Sequence, residues 1–202
     1  MKKGFTHESA HNESIEWYTP REIFTGLNLE FDLDPCSPGA DTVPWVPALR
    51  HLTRAEDGLN AHWEGRVWMN PPYGTDTQKW FRHLALAGNG IGLVFARTDT
   101  RWFHEFAPSA DAICFIKGRI QFVPAKRNGI DYPDLYNKGT YQPKGGCGAA
   151  SMLIAFGTDN AKALFRCNLG MTLPIKAIPL KAKSQAAKAM AVVRKLKPGL
   201  FG

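Results

Sequence analysis

The sequence predicts an α/β domain: a mostly parallel sheet with an antiparallel edge strand and helices on both faces. Three observations carry this. The unbroken apolar run Ile91-Gly92-Leu93-Val94-Phe95-Ala96 reads as a strand buried on both sides, as parallel strands are. Helical spacing occurs between such runs, with Ile23, Phe24 and Leu27 on one face and Trp80, Phe81, Leu84 and Ala87 on another. Strand candidates end in polar turns, the places where open α/β sheets present groups to ligands. A chain of 202 residues is long enough for one such domain with a full core and too short for two comfortable ones.

Residues 1–14 are polar and aperiodic, the pattern of a flexible segment. Thr19 is placed to cap a helix starting at Pro20, because proline loses no helical hydrogen bond at the first position. Gly26 keeps that helix short, and Trp17 and Tyr18 precede it as aromatics that can cover the core. From Leu29 to Asp34 apolar and acidic residues alternate, and Pro35-Cys36-Ser37-Pro38-Gly39 ends the run in a turn. Asp34 therefore sits where a strand meets a loop, able to receive an ammonium group or to cap the turn itself. Residues 40–56 read as irregular, with a short helical stretch at their end. Asp57, before Gly58, is a turn aspartate or a hydrogen-bond acceptor for a ligand amine.

Val67-Trp68-Met69 then runs into Asn70-Pro71-Pro72-Tyr73-Gly74. Neither proline can donate to a sheet ladder, so the strand stops and the turn is stiff. The side-chain carbonyl of Asn70 and the backbone carbonyl of Pro71 are two acceptors for the two hydrogens of an aromatic amine. Such an amine is a poor nucleophile while its lone pair is delocalised, and paired acceptors favour the pyramidal, reactive form. Tyr73 adds a flat face on which a stacked base gains roughly 1–3 kcal/mol. The alternative is a rigid turn with Tyr73 as a core ring.

A helix over 76–87, capped by Thr75 or Asp76, leads to the apolar strand over 91–96. Beyond its end, Arg97, Thr98 and Arg101 are candidates to hold phosphate, while Asp99 orients an arginine or caps the helix opened by Trp102 and Phe103. Strands over 112–116 and 119–123 flank Lys117-Gly118, a hairpin or a bend bracketed by Lys117 and Arg119. Residues 124–150 form a long stretch with little apolar periodicity. Lys126, Arg127, Lys138 and Lys144 alternate there with Tyr132, Tyr136 and Tyr141, a mixture suited to nucleic acid. Residues 151–157 return to strand character as the antiparallel edge.

Seven basic residues and no acid follow residue 170, so residues 1–170 balance at 18 basic and 18 acidic, and the net charge of +7 lies in the tail. That tail, 171–202, is partly helical by pattern, with Ala187, Met190, Val193 and Leu196 on one side over 184–197. It suits a polyanion or a second subunit, or is a solvated face. Four cysteines without a C-x-x-C pair and six histidines without H-E-x-x-H give no zinc motif, so no metal is expected and the thiols should be reduced. No apolar stretch reaches the roughly eighteen residues of a membrane span, so no membrane partner and a cytoplasmic location are expected.

In order, Trp17-Tyr-Thr-Pro, Asp32-Leu-Asp-Pro-Cys, Glu56-Asp-Gly-Leu, Asn70-Pro-Pro-Tyr-Gly, Arg97-Thr-Asp-Thr-Arg-Trp-Phe, Gly118-Arg-Ile-Gln-Phe and Ser151-Met-Leu-Ile resemble the phage-type DNA N6-adenine methyltransferase (Dam-like) family. The resemblance implies a Rossmann-like S-adenosylmethionine-dependent methyltransferase fold, here over residues 15–170. It implies methyl transfer from S-adenosyl-L-methionine to the N6 amine of an adenine flipped out of double-stranded DNA, in a bacterial host cell, with a phage or prophage source and a link to restriction-modification. Asn70, Pro71, Pro72 and Tyr73 match the catalytic turn. Thr19, Pro20, Asp34, Pro35 and Cys36 match segments around the methionine end of the cofactor, Asp57 one near its adenine, and Trp17 and Tyr18 are further cofactor-binding candidates. The DNA-binding candidates are Arg97, Thr98, Arg101, Lys117, Arg119, Lys126, Arg127 and Lys144. Two features depart from the general methyltransferase pattern: the chain has no G-x-G-x-G after its first strand, and no clear acid for the ribose between Asp34 and Asn70. The same turn also serves RNA and protein glutamine amines, and a catalytically silent DNA-binding relative is the remaining alternative.

Overall fold

The computed structural model describes residues 16–126, 128–144 and 147–175. The expected flexible segment 1–14, Arg127 and the tail helix over 184–197 lie outside these described residues. In chain order the elements are β1 (Trp17–Tyr18), α1 (Arg21–Leu27), β2 (Phe31–Asp34), β3 (Ala48–His51), β4 (Val67–Met69), α2 (Thr77–Ala87), β5 (Gly90–Phe95), α3 (Arg101–Phe106), β6 (Ala112–Ile116), β7 (Val123–Pro124), α4 (Tyr132–Asn137), β8 (Ser151–Phe156), α5 (Thr158–Arg166) and β9 (Gly170–Pro174).

The main sheet has the order β3-β2-β4-β5-β8-β6-β9, and β1 and β7 form a separate ladder. Strands β2, β3, β4 and β5 are parallel, β8 runs against both β5 and β6, and β9 runs against β6. It follows that β2 through β6 all point one way. The period of two in each strand divides the core. Phe31, Trp68, Leu93, Cys114 and Leu153 face α1 and α5, which contribute Ile23, Phe24, Leu27, Ala161 and Leu164. Leu33, Met69, Val94, Ile113 and Ile154 face α2 and α3, which contribute Trp80, Phe81, Leu84, Trp102 and Phe106. Helices therefore cover both faces. Each apolar side chain withdrawn from water in this way contributes about 1.5–3 kcal/mol, so the sheet is the rigid part of the molecule.

Several expectations are corrected. The antiparallel strand β8 is not at the edge: it lies between β5 and β6, and all of its residues are buried. Its run Met-Leu-Ile-Ala-Phe is apolar on both faces, and only an interior strand buries both. The edges are β3 and β9, and β9 carries the sheet past the boundary expected at residue 170. Residues 40–56 hold an edge strand as well as the short helical turn at Arg54–Glu56. Thr19 does not cap α1, whose N-cap position is Pro20 without a side-chain bond. Asp76 occupies the N-cap position of α2 but makes no cap bond; the Thr77 hydroxyl holds that turn instead, accepting from Gly74 N–H and donating to the Gly74 carbonyl.

Because β2 to β6 are co-directional, their carboxyl ends share one edge of the sheet. Asp34 ends β2, Asn70 follows β4, Arg97 follows β5 and Lys117 follows β6. From β2 the chain crosses to β3 on one side, and from β4 it crosses to β5 on the other. The neighbouring ends of β2 and β4 are thus a topological switch point, the crevice in which open α/β sheets hold ligands.

Candidate active site at the carboxyl edge of the sheet

Asn70 is held at both ends of its amide. Its Nδ2 donates to the Trp17 carbonyl at 2.8 Å, and its Oδ1 accepts from the Tyr73 hydroxyl at 3.3 Å. A carbonyl can only accept, so the Trp17 bond fixes which end of the amide is oxygen. Trp17 is itself pinned, because β1 pairs with β7 through Trp17↔Pro124 and Tyr18↔Val123. Tyr18 donates to Glu16 at 2.9 Å, and burial together with that carboxylate pushes its phenol up. In the turn Pro71 is buried and Pro72 exposed. The Tyr73 ring is half-buried and stacks on Phe95 with centroids 3.9 Å apart and planes at 10°, while Phe122 meets it edge-on at 6.2 Å. One face of Tyr73 is therefore already covered. Burial, and secondarily the Cys147 thiol, push its phenol up, so it stays a hydroxyl donor.

Across the switch point Asp34 is 5% exposed, and its Oδ1 accepts from Cys36 N–H at 3.0 Å. Burial pushes its carboxyl up to about 7, against the smaller opposing effect of that backbone bond. His51 faces it, with Nδ1 4.0 Å from Asp34 Oδ2. His51 Nε2 contacts the Ala48 carbonyl at 3.1 Å and must donate there, so Nδ1 accepts, from the Ser37 hydroxyl at 2.8 Å. Ser37 Oγ in turn accepts from Gly39 N–H at 3.0 Å. Burial lowers the His51 pKa, so Asp34 is a buried acid facing a neutral imidazole. Cys36 is half-buried beside it; burial, then Asp34, push its thiol up, so Cys36 contributes a backbone N–H rather than a thiolate.

Thr19 is 2% exposed, its carbonyl accepts from Trp45 Nε1 at 2.8 Å, and its Oγ1 is buried without a hydrogen-bond partner among the described residues. Pro20 follows, buried. A buried hydroxyl without a partner and a buried acid without a cation are both deficits that a zwitterionic ligand offsets. Asp57 is exposed, has a left-handed φ of 47°, and accepts from Asn60 Nδ2 at 2.7 Å. It borders the same turn: a Cβ on the next residue, Gly58, would lie 2.0 Å from the Pro35 carbonyl.

The family profile described as DNA N-6-adenine-methyltransferase (Dam) matches residues 7–140. The chain belongs to that family. No curated protein and no solved structure matches it. The Dam-family match takes in Asp34, the Asn70 turn and the ends of β5 and β6, and stops before β8. Membership points to DNA as the partner and adenine N6 methylation as the chemistry. Among the described residues no group of His, Cys, Asp and Glu could hold a metal ion, and no helix is long and apolar enough to cross a membrane.

In this Dam-family chain Arg97, Thr98 and Arg101 are exposed beyond β5, with Arg101 Nε 4.0 Å from Glu105. Thr100, not Asp99, takes the N-cap position of α3, and its hydroxyl donates to the Arg97 carbonyl at 2.7 Å. Lys117 and Arg119 are exposed beyond β6, around a bend rather than a hairpin, since β6 and β7 belong to different sheets. Lys126 is exposed with its Nζ 3.8 Å from Asp131, Lys144 is exposed, and Arg127 lies outside the described residues. Residues 124–150 are not a bare loop, for they contain α4. Tyr136 on α4 is 3% exposed, accepts from Arg21 N–H at 2.9 Å and packs edge-on against Trp45 at 4.8 Å. With Lys138 paired to Asp134 at 2.8 Å, these two residues of the basic and aromatic mixture are structural. Sequence reasoning overlooked His51, Phe95 and Phe122. Phe95 had a signal, as the last aromatic of a buried run opening on the ligand edge; His51 sat in a stretch without periodicity.

Proposed function

We propose that the chain transfers a methyl group from S-adenosyl-L-methionine to the exocyclic N6 of an adenine flipped out of double-stranded DNA. The observation that carries this reading is the meeting, on adjacent strands, of a buried acid without a cation and an Asn-Pro-Pro-Tyr turn whose amide is fixed in orientation. With Leu33 opposite Val67, the ends of β2 and β4 are neighbours, about 4.8 Å apart laterally.

When bound, S-adenosyl-L-methionine supplies a methyl group already activated on a sulfonium. Asp34 would receive the ammonium of its methionine part, because a cation restores the carboxylate that burial disfavours. Thr19 would give its unpaired hydroxyl to the same end of the ligand. Pro35 and Cys36 shape the turn beside it, Trp17, Tyr18 and Pro20 wall the entrance, and Asp57 waits on the rim for the adenine amine of the cofactor.

On the acceptor side, Asn70 Oδ1 and the Pro71 carbonyl would take the two N6 hydrogens and favour the pyramidal amine. The Trp17 carbonyl keeps the Asn70 amide from turning its nitrogen towards the base. For that geometry Tyr73 has to leave Asn70: its hydroxyl releases Oδ1, and its ring exchanges the stack on Phe95 for one on the flipped base. Transfer in line, in which the N6–C bond would form as the C–S bond of the sulfonium breaks and one N6 proton would leave to water, needs positioning and charge stabilisation, with no covalent bond to the protein. Arg97, Thr98, Arg101, Lys117, Arg119, Lys126, Arg127 and Lys144 would hold the DNA. A phage or prophage source, a bacterial cytoplasm and a part in restriction-modification belong to the same reading.

The test is single-molecule sequencing of plasmid DNA from a methylation-deficient bacterial host that expresses the chain or its Asn70→Ala variant. Methylated adenine is expected with the unmutated chain, and a loss of about 10²–10³ in rate with the variant, as when one preorganised polar group is removed from a reacting centre. Binding of S-adenosyl-L-methionine should be nearly intact in the variant. Equal methylation by both, or none by a soluble unmutated chain, would overturn the reading.

A further inference from the structure

Where the chain leaves β6 runs a second cleft of about 320 Å³, bordered by Lys117, Arg119, Gln121, Gln142 and, from the start of α1, Pro20 and Glu22. Its wall is an extended segment with a period of two: Lys117, Arg119 and Gln121 are exposed, while Ile120 and Phe122 are buried in the core. Phe122 is the ring set edge-on against Tyr73, with centroids 6.2 Å apart, so Gln121 adjoins in the chain a residue that touches the candidate catalytic aromatic. Gln142 and Pro143 border the same cleft, and Cys147 N–H donates to the Ile120 carbonyl at 3.1 Å. Among the described residues the side chains of Lys117, Arg119, Gln121 and Gln142 have no hydrogen-bond or ion-pair partner. Glu22 accepts from Tyr136 at 3.4 Å and keeps its other oxygen open.

The chemistry of this set discriminates between two parts of DNA. Phosphates need donors and positive charge alone, which a carboxylate in the cleft opposes. Base edges present donors and acceptors together: guanine O6 and N7 match a guanidinium, adenine N6 and N7 match a carboxamide, and cytosine N4 matches a carboxylate. We infer that this cleft is the sequence-reading surface, in which Arg119, Gln121 and Gln142 contact the base pairs flanking the target adenine in the major groove. This deepens the proposed function and rests on it. Base pairs stack about 3.4 Å apart and an extended residue rises about 3.3 Å, so side chains one to three residues from Phe122 fall within a few base pairs of the flipped nucleotide.

The test uses the purified full chain with Arg119→Ala, Gln121→Ala, Gln142→Ala, Gln121→Glu and Lys117→Ala, incubated with plasmid DNA and S-adenosyl-L-methionine, and maps every methylated adenine with its flanking sequence. Each alanine variant in the reading set should relax the preference at one flanking position, lowering discrimination there roughly ten- to a hundredfold. Gln121→Glu should change which base is preferred, an effect that lost folding cannot imitate. Lys117→Ala should weaken methylation evenly across sites. If the unmutated chain methylates adenine at a defined site and the variants keep that same preference at every position, the reading surface is refuted and the proposed function survives. If the unmutated chain methylates no adenine, both fall.

Discussion

Replacing Asp34 with Asn should make the ligand-free protein more stable and remove its hold on the cofactor. Burial raises the Asp34 carboxyl from 3.8 to about 7, so the folded chain binds this proton more tightly than the unfolded chain does. Between those two values the folded state carries more protons, and stability falls as pH rises. The contribution is whole below the unfolded pKa and lost as pH climbs through the folded one. A gap of about 3 units corresponds to about 4 kcal/mol of destabilisation once the group is ionised in both states, an upper figure because water and backbone relax around a buried charge. Asparagine keeps an oxygen for the Cys36 N–H and removes the charge. Near pH 8 the variant should therefore gain up to about 4 kcal/mol over the parent, on the order of 10 °C in Tm for a chain of this size, and near pH 5.5 about half as much. Thermal melts at the two pH values read the gap, and calorimetric titration with S-adenosyl-L-methionine reads the lost binding. A variant that melts at or below the parent near pH 8, or whose advantage fails to shrink on acidification, would refute the picture of Asp34 as a buried acid awaiting a cation.

Tyr73→Phe keeps the ring on Phe95 and frees Asn70 Oδ1, so DNA methylation should change only a few-fold; Tyr73→Ala removes the stacking face and should raise the KM for DNA by roughly ten- to a hundredfold. Equal losses in steady-state assays of the two would assign the work to the hydroxyl instead. Gly58→Ala puts a Cβ within 2.0 Å of the Pro35 carbonyl, so the Pro35-Cys36 turn must move, at a cost of about 1–3 kcal/mol and with weaker cofactor binding. Unchanged melting and unchanged affinity would show that this close approach does not shape the turn.

Much of the fold was legible because burial leaves a periodic trace. The run over 91–96 and the helix over 76–87 read correctly, since each packs a defined face onto the core. The edges left fainter traces. β3 reads Ala-Leu-Arg-His with its middle residues exposed, so no alternation marks it as a strand. β9 ends in a proline and leaves Met171 and Leu173 exposed, so no buried face marks it as a strand. Thr19 beside Pro20 carries a helix-start signal, yet its hydroxyl is buried and has no hydrogen-bond partner among the described residues, so the local capping pattern is not realised there. The Asn70 turn was legible as a turn because two successive prolines stop the strand at Met69. What no sequence pattern could show is that Tyr73 rests on Phe95 with its hydroxyl on Asn70, because that contact joins the ends of two strands through folding alone.

The antiparallel direction expected for residues 151–156 holds, and their interior place decides how the carboxyl edge of the sheet is covered. A strand parallel to β6 would have required the chain leaving β6 to cross to the opposite edge before returning. Because β8 is antiparallel and interior, it starts on the same edge where β6 ends, and Ser151 stands opposite Phe95. Everything from residue 117 to residue 150 therefore begins and finishes at the ligand edge, with no need to traverse a face of the sheet. Two anchors tie that segment down over the switch point. Val123–Pro124 pairs with Trp17–Tyr18, whose Trp17 carbonyl holds Asn70, and Tyr136 packs against Arg21 and Trp45. A long segment inside a compact domain is otherwise costly to order; here each anchor fixes a part of the site at the same time. The exposed polar residues flanking the anchors, Lys117, Arg119 and Gln121 before β7 and Gln142 and Lys144 after α4, are thereby carried on a frame tied to the Asn70 turn, so under the proposed reading a base recognised at one would be held in register with the base reacting at the other.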